Sequence, residues 1–199
     1  MFTPINQGIF DQWRRFLIDA ELARNYDVPY RLYAHEHLPV PKNPMLERLL
    51  PSLLYLQLCA ILDDALKMYL QLNKVKGPKN DTLEARISFF GKERYLQNAQ
   101  ELQALRKVRN GIAHTIDRSA TWEAFEEATS CVEKALQQLG FVDDRPGISV
   151  YGVSAGGTPE PPDPSIKRRD VYSWGLRIDG KKVKGFSWQV NIPRDSSDT

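Results

Sequence analysis

The sequence predicts a mainly α-helical bundle that ends in a β-hairpin. Three patterns carry that prediction. Apolar residues recur at helical spacing through most of the first 140 positions, start and stop signals separate the runs, and strand-like alternation surrounds an Asp-Gly pair after residue 170.

Residues 8–26 place Ile9, Trp13, Phe16, Leu17 and Ala20 at helical spacing. Residues 27–43 hold three prolines and little periodicity, so they read as a connecting loop. Asn43-Pro44 is a helix start, with Asn as N-cap and Pro at the first helical position. The longest apolar element runs from Met45 to about Asn73, with Pro51 expected to kink or restart it. Its wheel has a broad stripe (Leu54, Leu58, Ile61, Leu62, Ala65, Leu66, Tyr69, Leu72) and a smaller one (Leu56, Cys59, Leu70). A helix apolar on two sides is central, or shared with a partner chain. Residues 82–90 read as a short helix and 98–115 as a further one. In 121–139, Trp122, Phe125, Ala128, Val132, Ala135, Leu136 and Leu139 share a face, with Gly140 as the terminating residue. Short connections between successive helices suggest an up-down bundle.

The character changes after Phe141. Residues 141–170 read as a linker, since 143–170 alone hold four glycines and five prolines. Residues 171–192 then alternate as a hairpin turning at Asp179-Gly180. Unbroken pairing from that turn matches Leu176 with Val183 and puts Phe186, Trp188 and Val190 on the other face of the hairpin from Tyr172 and Trp174. One extra residue near Lys184-Gly185 restores a common aromatic face, so a β-bulge is expected there. A hairpin alone is marginal in water, so Trp174 and Trp188 are expected to pack on the bundle or on a second subunit. The division is therefore 1–43 (helix and loop), 44–140 (bundle), 141–170 (linker) and 171–192 (hairpin).

Composition narrows the function. The net charge of +2 comes from 27 basic and 25 acidic residues, so nucleic-acid contact requires a local patch rather than bulk charge. The two cysteines, Cys59 and Cys131, lie in separate helices without ligand spacing, as expected of a reduced, cytoplasmic protein. The N-terminus has charges interrupting each apolar run and reads as neither signal peptide nor membrane span. His35 and His37 resemble a metal half-site without a second cluster, and no metal or cofactor is expected. Lys167-Arg168-Arg169 and lysines 181, 182 and 184 form a basic hairpin edge.

The candidate chemistry lies in Arg109-Asn110-Gly111-Ile112-Ala113-His114. Arg offers a planar fork of donors that fits phosphate oxygens, and His exchanges a proton near neutral pH. On the wheel, Leu102, Leu105, Val108, Ile112, Ala113 and Ile116 define the buried face, and Arg109 points into its middle. A charge there is costly without a partner or ligand. Arg109 and His114 diverge by roughly 140° on an ideal helix, so convergence on one phosphate requires the helix to end near the His or a second chain to supply the complement. Asp63 falls in the minor apolar sector and is the expected partner of a buried Arg or His, while Asp64 is expected to be solvated. Two plainer assignments remain open: Arg109 in a structural ion pair with Asp63 or Glu101, and His114 as a C-terminal helix cation.

Arg109-Asn110, three residues and His114 match the R-N-x-x-x-H form of the HEPN superfamily, and the segment over 44–140 resembles its helical bundle, with Asp63 at or near the acidic position of the earlier helix. The resemblance implies a homodimeric, metal-independent endoribonuclease that leaves a 2′,3′-cyclic phosphate. In that reading His114 acts as general acid or base, Arg109 stabilises phosphate charge, Asn110 orients the site and Asp63 supports it. Arg106 and Lys107 are candidate RNA contacts. It further implies a toxin or phage-defence role, with an antitoxin or regulatory protein as partner and no membrane. The alternative it leaves is a non-catalytic module that binds a partner protein or a nucleotide.

Overall fold

The computed structural model describes residues 2–28, 42–115, 118–155 and 166–193, except the side chains at 154–155, 166–169, 184, 188 and 190–193. Among them are five helices: α1 (Gln7–Arg24), α2 (Pro44–Leu72), α3 (Leu83–Lys92), α4 (Ala99–His114) and α5 (Trp122–Gln138). Three strands follow, β1 (Ile148–Ala155), β2 (Ile166–Ile178) and β3 (Lys181–Pro193), so the chain is mainly helical with a small antiparallel sheet at its C-terminal end. The chain forms two compact units, residues 1–20 with 43–145, and residues 21–42 with 146–199.

In the first unit α2 is the hub, packing against α3, α4 and α5. Asn43 caps it by accepting the Met45 and Leu46 N–H groups, with Pro44 in the first turn. The helix continues through Pro51 rather than restarting. The missing N–H forfeits one ladder bond near the N-terminus, while the turns that follow bury Leu58, Ile61, Leu62, Ala65 and Leu66 almost completely. Burial of side chains this size is worth about 1.5–3 kcal/mol each. The adjacent Ser52 hydroxyl donates to the Arg48 carbonyl and accepts the Ala120 N–H, tying α2 to the entry of α5. Phe16 of α1 meets Phe125 of α5 edge-on at 6.0 Å, and Tyr69, Phe90 and Tyr95 form a second aromatic cluster. An 18-residue window of α2 is apolar enough to cross a membrane by length and composition, but half of it is buried inside the protein, as in a core helix.

Helix ends follow their local chemistry. Thr82 and Thr121 cap α3 and α5 by accepting the Ala85 and Ala124 N–H groups. After α5, Gly140 takes φ +76° and its N–H reaches the Gln137 carbonyl, while the Phe141 N–H reaches Leu136. This is the paired closure of a Schellman motif.

The second unit corrects the expected linker. Residues 148–155 are a strand, and β2 begins at Ile166, so the hairpin is part of a three-stranded meander β1-β2-β3. The surrounding glycines and prolines hid β1, because a strand this short leaves few periods to set against loop composition. Asp179 and Gly180 both take positive φ, 49° and 77°, as a type I′ turn requires. The bulge exists but lies at Val183, earlier than expected: Arg177 pairs with Lys182, then Leu176 with Lys184. Its consequence is the expected one, since Tyr172 pairs with Trp188 and Trp174 with Phe186 on one face. Trp174 and Phe186 stack at 5.5 Å, and Tyr172 and Val28 form a small core with Val150 and Trp174 against it. The side chain of Trp188, and His35 and His37, lie outside the described residues.

Gly140→Ala is expected to destabilise the protein by about 1–2 kcal/mol, the cost of a left-handed conformation for a residue with a Cβ. The added methyl would also meet Ile5 Cγ2 at 3.3 Å. Urea unfolding measured on both proteins checks this.

Candidate functional site

The motif helix α4 is buried at Leu102 and Leu105, but its second half departs from the expected face. Val108 is 45% exposed, Ala113 is exposed and Ile112 is half-buried. Ile116 lies outside the described residues. Of the face expected to be buried, only Leu102 and Leu105 are buried among the described residues.

Arg109 is half-buried. One of its terminal nitrogens donates to Asn110 Oδ1 at 3.1 Å, and its Nε is buried without a hydrogen-bond partner. Among the described residues no carboxylate lies within ion-pair distance of it, neither Asp63 nor Glu101. Arg109 and Asn110 open on a cleft of about 510 Å³ that also receives Asp63, Asp64, Arg86 and Arg106. Arg106 donates to Gln103 and pairs with Glu84 at 3.2 Å, and Lys107 is exposed.

Asp63 does meet a buried arginine, but it is Arg86 of α3. Arg86 is 3% exposed, and its Nε donates to Asp63 Oδ1 at 2.9 Å. A second guanidinium nitrogen contacts the same oxygen, Asp81 takes the third, and Lys67 pairs with Asp63 Oδ2 at 2.7 Å. Asp63 is thus held in an ion-pair network between α2 and α3, while Asp64 is exposed as expected. Arg86 has no signature in the sequence: its helix is short and its burial depends on α2 lying alongside.

His114 is exposed at the last residue of α4. It lines a different cleft, of about 390 Å³, with Arg48, Arg118 and Ser119 around an apolar floor of Leu53, Leu56 and Ile112. Within one chain the structure therefore does not bring Arg109 and His114 to one point. The two clefts lie in succession along α2, one beside its N-terminal half and the other near Asp63 and Asp64. Arg48 and Arg118 were not singled out by the sequence. The available signal was Gly111 inside the motif: a Cβ there would lie 2.9 Å from an Arg118 guanidinium nitrogen and 3.0 Å from its Cδ. The missing side chain is what lets Arg118 fold over the motif helix.

Both cysteines are free. Burial pushes the Cys59 thiol up to about 12 despite the opposing charge of Arg109. Burial, with Glu101 nearby, pushes Cys131 up to about 11. Neither is a thiolate nucleophile near neutral pH. Among the described residues no group of three or more His, Cys, Asp or Glu side chains is placed to hold a metal ion.

Asp63→Ala is expected to cost about 3 kcal/mol in urea unfolding, because it strips a buried guanidinium of its main partner. Arg109→Ala, which breaks no ion pair, is expected to cost far less. Because a raised thiol pKa leaves less thiolate at pH 8, iodoacetamide should spare Cys59 in the native protein and modify it rapidly in urea. Native-state labelling at the rate of a free thiol contradicts this. No protein-family model, curated protein or solved structure matches the chain.

Proposed function

We propose that this protein is a homodimeric, metal-independent endoribonuclease of HEPN type, acting as a toxin or phage-defence effector in the cytoplasm. The observation that carries the proposal is the setting of His114. It is exposed at a helix end, in a cleft with two arginines, beside an apolar strip that its own unit leaves uncovered. On α2 that strip includes Leu49 (44% exposed) and Leu53 (52% exposed), with Ala113 of α4 beside it. A second copy covering the strip would bring a second motif helix close to the first. Such an arrangement overcomes the divergence of Arg109 and His114, because the Arg of one protomer then serves the His of the other.

The chemistry follows from these groups. His114 removes the ribose 2′-hydroxyl proton, the oxygen attacks the adjacent phosphorus, and the 5′-oxygen leaves with a proton returned by a second acid. A positioned acid or base contributes about 10²–10⁴-fold. Arg109 stabilises the charge that builds on the phosphate, and Arg48 and Arg118 hold the flanking backbone. Asp63 acts at a distance, by fixing α2 against α3. RNA is the substrate, and an antitoxin or regulatory protein is the partner that restrains the dimer. The separation of Arg109 from His114 within one chain favours a second reading, a non-catalytic module that binds a partner protein or nucleotide in the Arg109 cleft.

The test uses a mixed RNA pool, EDTA and three variants. The parent should sediment as a dimer and cleave RNA, but not DNA, leaving 2′,3′-cyclic phosphate ends. His114→Ala should lose at least about 10²-fold in rate with its fold intact. Arg109→Ala should lose both rate and RNA affinity. Leu53→Glu should yield an inactive monomer. A monomeric parent, or a His114→Ala variant as active as the parent, overturns the reading. A folded dimer that cuts no RNA favours the binding module.

A further inference from the structure

The β1-β2-β3 sheet has two unlike faces. One carries Tyr172 and Leu176, both buried, with Trp174 between them. On the other, Tyr151 of β1 pairs across to Gly175 of β2, which pairs in turn with Gly185 of β3. With no side chain at either glycine, the Tyr151 ring lies down across all three strands. A Cβ at Gly185 would sit only 2.7 Å from the Tyr151 hydroxyl. Two cations stand over this ring, the Arg177 guanidinium at 5.0 Å from its centre and the Lys182 ammonium at 4.6 Å.

Arg177 and Lys182 are direct cross-strand partners. Like charges placed directly opposite destabilise a sheet. Neither has a carboxylate partner among the described residues, and the described side chains of this face include no Asp or Glu. The cation–π contacts offset the repulsion only in part, since such contacts are weak where water reaches them, and Lys182 is exposed. A cationic pair held over a flat aromatic, on a face without acids, is complementary to a ligand that offers both a phosphate and a stackable ring.

We propose that this face is a binding platform for single-stranded RNA, with Tyr151 stacking a base and Arg177 and Lys182 taking the adjacent phosphates. Phosphate draws Arg177 and Lys182 off the ring, and the freed ring face accepts the base. A duplex keeps its bases stacked on each other and satisfies only the cations. The choice of RNA among single-stranded nucleic acids rests on the ribonuclease reading above, whereas the stacking and charge argument stands on the sheet alone.

The test measures binding in full-length protein carrying His114→Ala, so that cleavage does not intrude. The probe is a fluorescein-labelled oligouridylate of about ten nucleotides, within the usual site size of such platforms. Fluorescence anisotropy is followed across a salt series. Tyr151→Ala should weaken binding about tenfold, and Tyr151→Phe, which keeps the ring, should restore it. Lys182→Ala, a surface change that spares the fold, should weaken binding several-fold and lower the salt slope by about one. Three results overturn the platform: Tyr151→Ala and Lys182→Ala both binding like the parent, duplex RNA binding as tightly as the single strand, or retention on phosphatidylserine vesicles without oligouridylate binding. Cleavage by protein with His114 intact is scored separately. Cleavage without Tyr151-dependent binding removes the platform and leaves the nuclease, and Tyr151-dependent binding without cleavage does the reverse.

Discussion

The helical unit depends on α2 and on the unequal covering of its two apolar sides. One side is sealed: Leu58, Leu62, Ala65 and Leu66 are fully buried by the packing of α3, α4 and α5. The other side carries Leu49, Leu53 and Leu56 past His114 and stays open. A helix of this composition gains more from burial than from its own hydrogen bonds. The sealed side therefore fixes where the other helices lie, and the open side is what remains when α3, α4 and α5 have been placed. Both clefts of the motif helix border this open side.

Two arginines show how burial separates structure from chemistry. Arg86 is almost fully buried and saturated by Asp63 and Asp81, so its charge is fully committed within its own chain. Arg109 is only half-buried, bonded to a neutral Asn110 oxygen, with its Nε buried and unpartnered and the residue lining a cleft. A buried charge with several carboxylate contacts has little left to offer a ligand. A charge without a counter-ion retains most of its capacity to bind an anion. The acidic residue expected to serve the motif pairs with Arg86 instead, which leaves Arg109 without a carboxylate partner among the described residues.

The sheet unit repeats this division between a packed side and an available side. Period-two alternation sends Tyr172 and Leu176 inward and leaves the Tyr151 face to solvent. The bulge at Val183 is the device that brings Phe186 opposite Trp174. The tight turn by itself places Lys182 opposite Arg177, because that pair lies on the turn side of Val183. The turn thus sets the charge of the outer face, and the insertion sets the aromatic packing of the inner one.

Most helices were legible in the sequence because their signals are local. Asn43-Pro44 and Gly140 act within one turn, and the structure uses them as cap and stop. The Asp179-Gly180 turn and the need for one extra residue in β3 were legible for the same reason, since parity is counted along the chain. The strand at 148–155 was not, because its pairing partner lies more than ten residues away and glycines and prolines flank it. Within the site, the sequence by itself marked Arg109, Asn110 and His114 as chemically unusual and Asp63 as a carboxylate with a buried charge to meet. Only the tertiary structure decided that this charge is Arg86, that Arg109 has no carboxylate partner among the described residues, and that His114 shares its cleft with Arg48 and Arg118. Those outcomes turn on which helices come together across distances no periodicity encodes: a wheel fixes the direction of a side chain, and packing alone fixes what stands opposite it.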